Sequence, residues 1–166
     1  MDLDKLNILP PWDEEKMSKL GLKKGDEWKN RKYYEAVRAL YINWREFFEM
    51  VHAFADNLTD AEEDSEDSYE YSNKSLLYQN IMPIGAKIIS IVGIDSYVLR
   101  MEVAAYIRYN CIEMMEQVAT AVMLGYADAK HEVVLEEALE KFQQLFKNWV
   151  DTFEQDDYED EWGLFI

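Results

Sequence analysis

The helical character of this chain is clearest in the stretch WREFFEMVHAFAD, Trp44 to Asp56. Apolar and aromatic side chains recur there every three or four residues, which is the period of one face of an α-helix. The same period continues back to Glu27 and forward to Asn57. We therefore predict a long amphipathic helix over residues 27–57. Its apolar face carries Tyr33, Val37, Leu40, Trp44, Phe47, Phe48, Val51 and Phe54.

Two later segments continue the helical pattern. The second predicted helix covers residues 75–93 and is apolar over a wide arc. We expect Pro83 to kink or break it, because proline lacks the amide hydrogen and crowds the preceding turn. The third predicted helix begins with Asp95 or Ser96 as its cap and runs to about residue 127.

The fourth predicted helix covers residues 130–155 and has a regular apolar stripe opposite a charged face. The connections on either side of the third helix are short, and short connections between long helices favour antiparallel neighbours. The sequence therefore predicts an all-α protein with the architecture of an antiparallel up-and-down four-helix bundle. The length predicts one domain over residues 1–166.

Three segments lie outside these helices. Residues 1–26 form an N-terminal arm, with a short helix over 13–20, that we expect to strap across the bundle through Ile8, Leu9 and Trp12. Residues 58–74 form an acidic, serine-rich loop with almost no apolar side chain to bury. Residues 157–166 are acidic and then apolar. We expect this tail to fold back onto the body, and the alternative is a short peptide offered to another protein.

The charge balance limits the classes of partner. The chain has 34 acidic against 17 basic residues, a formal net charge of −17. This excess opposes binding to nucleic acid, whose phosphates require a basic face, and it permits a basic partner or a cation. The N-terminal residues are too polar for a signal peptide, and no apolar segment approaches the roughly 18 residues of a membrane span. We expect a cytoplasmic protein with no nucleic-acid or membrane partner.

A histidine and two carboxylates in the opening stretch suggest a metal site as one hypothesis. Glu49 and His52 have the Glu-x-x-His spacing of di-metal helical bundles, and Asp56 follows one turn later. Asp128 and His131 repeat an acid-x-x-His spacing that the predicted topology brings to the same end. The second predicted helix contributes no carboxylate, so we expect no cofactor and retain a divalent metal as the alternative.

Arg45 and His52 carry a different resemblance. An arginine followed by a histidine a few residues later is similar to the motif of the HEPN-type helical ribonucleases. That resemblance implies a small helical bundle with an RNA-cleaving site assembled across a dimer. It covers these two residues only, and Glu46 stands where that family usually has a polar residue such as asparagine. The net charge of −17 also opposes binding to RNA, whose phosphates are negatively charged.

Two arginines of the third predicted helix lie off its polar stripe. Arg108 shares an arc with apolar residues, and Arg100 also lies outside the stripe. A buried guanidinium requires a partner, so we expect Arg108 to meet a carboxylate or carbonyls on another helix, another subunit or a ligand. Structural pairing is the first interpretation, and an anion-binding pocket is the alternative. Cys111, the only cysteine, is predicted to be a small core residue.

No sequence pattern indicates catalysis: there is no phosphate-binding glycine loop, nucleophile elbow or zinc-protease motif. We therefore predict a non-enzymatic protein-binding or scaffolding module. It acts through a protein partner or through a second copy of itself, because the second predicted helix is apolar over more than one side. The alternatives are a metal-binding bundle with a carboxylate and histidine site, and an acidic mimic of nucleic acid that binds a basic partner.

Overall fold

The computed structural model describes residues 9–58, 73–158 and 160–164, and within these ranges it contains helices and no strand. The prediction of an all-α protein is therefore confirmed. The five helices are α1 (Glu14–Gly21), α2 (Glu27–Asp56), α3 (Asn73–Ser90), α4 (Tyr97–Met123) and α5 (Ala129–Val150). The described helices include none that is long and apolar enough to cross a membrane.

Polar side chains cap three of these helices, and Ser96 is one of the two caps predicted for α4. The Asp13 carboxylate accepts a hydrogen bond from the Lys16 amide at 2.9 Å, and Ser96 and Asp128 cap α4 and α5. These bonds satisfy amide hydrogens that have no partner within the first turn of a helix. Gly125 ends the turn after α4 with a φ of 80°, a backbone conformation that favours glycine.

The structure differs from the prediction at two places in the helices. The predicted fourth helix reached residue 155, but α5 ends at Val150 because the amides of Thr152 and Phe153 bond three residues back and turn the chain. Of the kink or break predicted at Pro83, the break does not occur, because α3 runs continuously through this residue. Packing against both α2 and α4 holds the two halves of α3 in one helix, which overrides the local preference of proline.

Helices α2 to α5 each pack against two of the others. α2 contacts α3 and α5, and α4 contacts the same two, more extensively with α3 than with α5. An aromatic cluster fills the centre: the Trp44 ring lies 5.7 Å from Phe47 and 5.2 Å from Phe142, centroid to centroid. All three rings are buried, so these contacts form the core that the aromatic face of α2 predicted.

The N-terminal arm crosses α2 and α3 through specific contacts. The hydroxyl of Tyr41 donates to the carbonyl of Pro10 at 2.7 Å, and the Arg45 Nε donates to the carbonyl of Leu9 at 3.2 Å. The Leu9 side chain packs directly over Gly85 of α3, where a Cβ atom would lie only 2.8 Å from a Leu9 methyl. Glycine therefore allows the close approach of the arm to α3.

The described part of the C-terminal tail does not fold back onto the helices. Trp162 is 85% exposed and Leu164 is 50% exposed, so the predicted fold-back is wrong for these two residues. Their backbone closes a local turn instead, in which Asp160 accepts from the amides of Gly163 and Leu164. The predictions for Ile8, for residues 59–72 of the acidic loop and for residues 165–166 concern residues outside the described ranges.

Candidate functional site

A groove lies between the C-terminal half of α2 and the first turns of α5. Its volume is about 630 Å³. Most of its wall is apolar, with one amide and one imidazole among the lining side chains. The lining residues are Met50, Ala53, Phe54, Asn57, His131, Val134 and Leu135.

Helical spacing explains how the two walls form. On α2 the lining residues follow at intervals of three, one and three, which places them on one face of the helix. The His131 ring packs edge-on against the Phe54 ring, with centroids 6.4 Å apart, and joins the two walls at one end. Asn57 donates to the carbonyl of Ala53 at 2.7 Å and so closes the last turn of α2.

Charged residues mark the rim of the groove. Lys141 of α5 reaches Glu46 of α2 at 3.2 Å and bridges the two helices beyond Met50. Glu49 and Glu137 are exposed, and helical register places them on the outward edges of α2 and α5 beside the lining residues. Neither carboxylate forms a hydrogen bond or ion pair with another residue in the described ranges, so the rim carries uncompensated negative charge.

His52 lies on the other side of α2 from the groove and faces α3. Its Nδ1 lies 3.1 Å from the Asp56 carboxylate, and its ring packs edge-on against Tyr78 at 5.3 Å. Asp56 also accepts from Lys74 at 3.0 Å and from the Tyr78 hydroxyl at 2.9 Å. Partial burial alone would raise the pKa of Asp56, but these hydrogen bonds and the charge of His52 hold it below 3.8.

The five predicted metal ligands therefore do not form one cluster in the described parts of the chain. His52 and Asp56 face α3, whereas His131 lines the groove on the opposite side of α2. Asp128 caps α5, and the Lys130 amide and ammonium group lower the pKa of its carboxyl. Within 9–58, 73–158 and 160–164 no group of three or more His, Cys, Asp or Glu could hold a metal ion. The metal site remains a prediction that metal analysis of wild type and His52→Ala tests.

Arg100 proves to be the buried arginine of α4. It is 7% exposed, its Nε donates to the carbonyl of Ile94 at 2.9 Å, and its terminal nitrogen lies 3.4 Å from Asp95. Its guanidinium also stacks on Tyr33 of α2. These contacts hold the guanidinium against neighbouring parts of the fold, which favours a structural role for Arg100.

The expected burial of Arg108 is wrong, because its side chain is exposed. It lies at the edge of a smaller groove of about 210 Å³ between α4 and α5, beside Cys111 and Ile112. Within the described residues the guanidinium forms no hydrogen bond or ion pair. The reason is that α4 packs more closely on α3 than on α5, which leaves this edge of its apolar arc uncovered.

Arg45 and His52 do not share a site in the structure. Arg45 holds the N-terminal arm through the Leu9 carbonyl, and His52 is paired with Asp56. No family model, curated protein or solved structure matches this chain.

The groove residues of α2 were not singled out by sequence reasoning. Met50 and Ala53 lie outside the predicted core face of α2, and Val134 is half exposed although it belongs to the apolar stripe of the fourth predicted helix. The spacing of residues 50, 53, 54 and 57 is visible in the sequence. Recognising it as a groove wall required knowing how the first turns of α5 pack against α2.

The acidic charge is concentrated in two segments and is not spread evenly over the chain. Residues 60–70 and 151–161 each contain seven acids and no lysine or arginine. Together they account for fourteen of the seventeen net negative charges, so the helices themselves are close to neutral. The first of these segments begins two residues after Leu58, at the end of α2 that lines the groove.

Proposed function

We propose that this protein is a non-enzymatic protein-binding module that holds the apolar side of a basic helical segment of a partner in the groove between α2 and α5. The observation that carries the proposal is the groove itself, with its apolar walls and its unpaired carboxylates. An amphipathic helix in an apolar groove is a common mode of peptide recognition. The side chains that such a helix buries recur every three or four residues, and the lining residues of α2 have a matching spacing.

The apolar part of the argument rests on size and exposure. A volume of about 630 Å³ lies within the range of about 300–1,000 Å³ that ligand pockets occupy. Met50 and Val134 are exposed at its mouth, and removal of their apolar surface from water by a partner is favourable. Two or three apolar anchors fill such a space.

The electrostatic part of the argument favours a basic partner. Glu49 and Glu137 lie beside the groove without a counter-ion in the described residues. The acid-rich segment 60–70 is joined to the same end of α2. A net charge of −17 also attracts basic segments over distances beyond direct contact and raises their association rate.

For the architecture we propose the antiparallel up-and-down four-helix bundle predicted from sequence, built from α2 to α5 in one domain, with the arm as its strap. The mutual contacts of α2, α3, α4 and α5 support this arrangement. So do the short α3–α4 and α4–α5 connections and the bonds of the arm to Tyr41 and Arg45. For the location we propose the cytoplasm.

Neighbouring valines on α5 provide a matched test. Val134 lines the groove and is 50% exposed, while Val133 is 52% exposed and does not line it. The probe is a fluorescent amphipathic helix made of leucine and lysine, and anisotropy measures its affinity. We expect Val134→Lys to weaken binding at least tenfold, because the ammonium group enters the apolar wall, and Val133→Lys to change it less than threefold.

Two results would contradict the proposal that this groove binds a basic helical segment. Equal weakening by both lysine variants would show that the probe responds to charge alone, which is the behaviour of an acidic mimic of nucleic acid. No binding of the probe to wild type at a concentration of about 100 µM, well above the Kd of a specific helix-in-groove complex, would remove the proposal altogether. A peptide with the same leucine positions and glutamate in place of lysine is the control for non-specific hydrophobic binding. It should not bind, because its charge has the same sign as that of the protein.

A further inference from the structure

The outward face of α4 carries a strip of mostly apolar side chains that the other described helices leave largely uncovered. Most surface helices place charged side chains opposite their buried face, whereas a helix that is apolar on all sides usually has neighbours on all sides. Seven residues lie within an arc of about 80° on the exposed side of α4. They are Met101, Ala105, Arg108, Ile112, Glu116, Ala119 and Met123, called the α4 strip below. Six of the seven are exposed, with Met123 at 77% and Ile112 at 40%, and Met101 is partly buried.

The order of residues in the α4 strip is symmetric about Ile112. The spacings are four, three and four residues on each side of it. Methionines lie eleven residues before and after Ile112, and alanines lie seven residues before and after. Four residues before it is the basic Arg108, and four after is the acidic Glu116. The strip is therefore complementary to itself when it is reversed.

We propose that two copies of this protein pair through the α4 strip, antiparallel, around a two-fold axis that passes beside Ile112. An isologous interface brings each residue opposite the one related to it by the axis. Ile112 then meets Ile112 of the second copy, and Met101 meets Met123 of the second copy. Arg108 meets Glu116 of the second copy, and the axis generates this ion pair twice.

Charge complementarity identifies the occupant as a second copy. Arg108 is exposed and forms no ion pair within the described residues, and the Glu116 carboxylate forms none there either. A partner of unrelated sequence would need neither the mirrored spacing nor the exchange of charge about Ile112. The pairing supplies the carboxylate from another subunit that Arg108 was expected to find.

Packing and net charge are compatible with this pairing. The alanines seven residues on either side of Ile112 are small, and the distance between packed helices falls when the residues at the contact are small. α4 carries three acids and two bases, so two copies can meet there despite the charge of −17 on each chain. The strip is about 33 Å long. The area buried by a single pair of helices lies at the lower end of the range for specific interfaces, so the dimer should dissociate on dilution.

A charge exchange tests the pairing directly by sedimentation velocity over a range of protein concentrations. We expect Arg108→Glu and Glu116→Arg each to weaken dimerisation at least tenfold, because each places like charges opposite one another twice. The double variant should recover to within about threefold of wild type, since the exchange restores both pairs. Lys32→Glu, an exposed substitution of the same charge on α2, should leave dimerisation unchanged.

Disulfide formation tests the antiparallel direction separately. In a Cys111→Ala background, Met101→Cys mixed with Met123→Cys should form the mixed disulfide, and each variant alone should form little. Wild type that remains monomeric at the highest concentration would overturn the proposal. So would a double charge variant that dimerises no better than the single ones, or disulfides that form mainly between identical variants. The peptide groove lies between α2 and α5, so its test is read independently of this one.

Discussion

The guanidinium carbon of Arg100 lies 3.7 Å from the centroid of the Tyr33 ring. This contact joins the start of α4 to the first third of α2, and both side chains also bind the connection between α3 and α4. Arg100 donates to the carbonyl of Ile94, and the Tyr33 hydroxyl donates to the carbonyl of Ile91 at 2.8 Å. Burial raises the pKa of Tyr33 to about 12, although the charge of Arg100 opposes the shift.

We expect Arg100→Met to destabilise the protein by about 2–3 kcal/mol in urea unfolding. The variant loses the cation–π contact and leaves the partly buried Ile94 carbonyl without its donor. Arg31→Met is the matched control, because Arg31 is exposed and pairs weakly with Glu35 at 3.9 Å. The control should change stability by less than about 0.5 kcal/mol. Equal losses in the two variants would contradict the structural role of Arg100.

The contact between Leu9 and Gly85 predicts a coupling between the arm and α3. Gly85→Ala in wild type forces the Leu9 side chain to move, because the new methyl group lies 2.8 Å and 3.1 Å from its two methyls. In a Leu9→Ala background the same substitution should stabilise the protein by up to about 1 kcal/mol, since alanine is the better helix former.

A double-mutant cycle measures this coupling, which we expect to be about 1 kcal/mol. Limited proteolysis should also cleave the arm faster in Gly85→Ala than in wild type. Additive effects, with a coupling near zero, would show that the arm does not lie over Gly85. Ala86, the exposed neighbour on α3, provides a control through Ala86→Gly, which should show no coupling to Leu9.

The environment of Asp56 predicts a pH dependence. Its pKa is lower in the folded protein than the ordinary value of 3.8, after the opposing effect of burial. The carboxylate therefore contributes stability above about pH 4, and this contribution is lost as the pH falls through the folded pKa. The groups that face it are His52, Lys74 and Tyr78.

The measurement compares wild type with Asp56→Asn. The wild type should be more stable at pH 7, by less than about 1 kcal/mol because Asp56 is half exposed, and the difference should decrease below pH 4. A difference that stays constant from pH 7 to pH 2.5 would show that the ion pairs do not stabilise the fold.

Cys111 should be chemically inert in the native protein. Burial raises the pKa of its thiol to about 12, and only the thiolate is the reactive form. We expect a disulfide-exchange reagent at pH 8 to label it about a hundredfold more slowly in the folded than in the urea-unfolded protein. A cysteine introduced at the exposed Ser90 should react at the same rate in both states. Fast labelling of native Cys111 would show that the groove between α4 and α5 opens.

Local sequence was sufficient to predict most of the secondary structure. The three-to-four-residue period predicted α2 to within a residue, and the short polar side chain of Ser96 predicted the start of α4. These signals act within one or two turns, so they do not depend on the rest of the fold.

Tertiary packing was required to know which face of each helix is covered. On α4 the helical period assigned Arg108 to the buried side, and the structure leaves its side chain exposed. Arg108 lies near the edge of the apolar arc, and α4 packs more extensively on α3 than on α5, which turns the buried face away from Arg108. The α2–α5 groove and the α4 strip arise in the same way. Periodicity tells which residues share a face, whereas coverage of that face depends on chain segments far away in sequence.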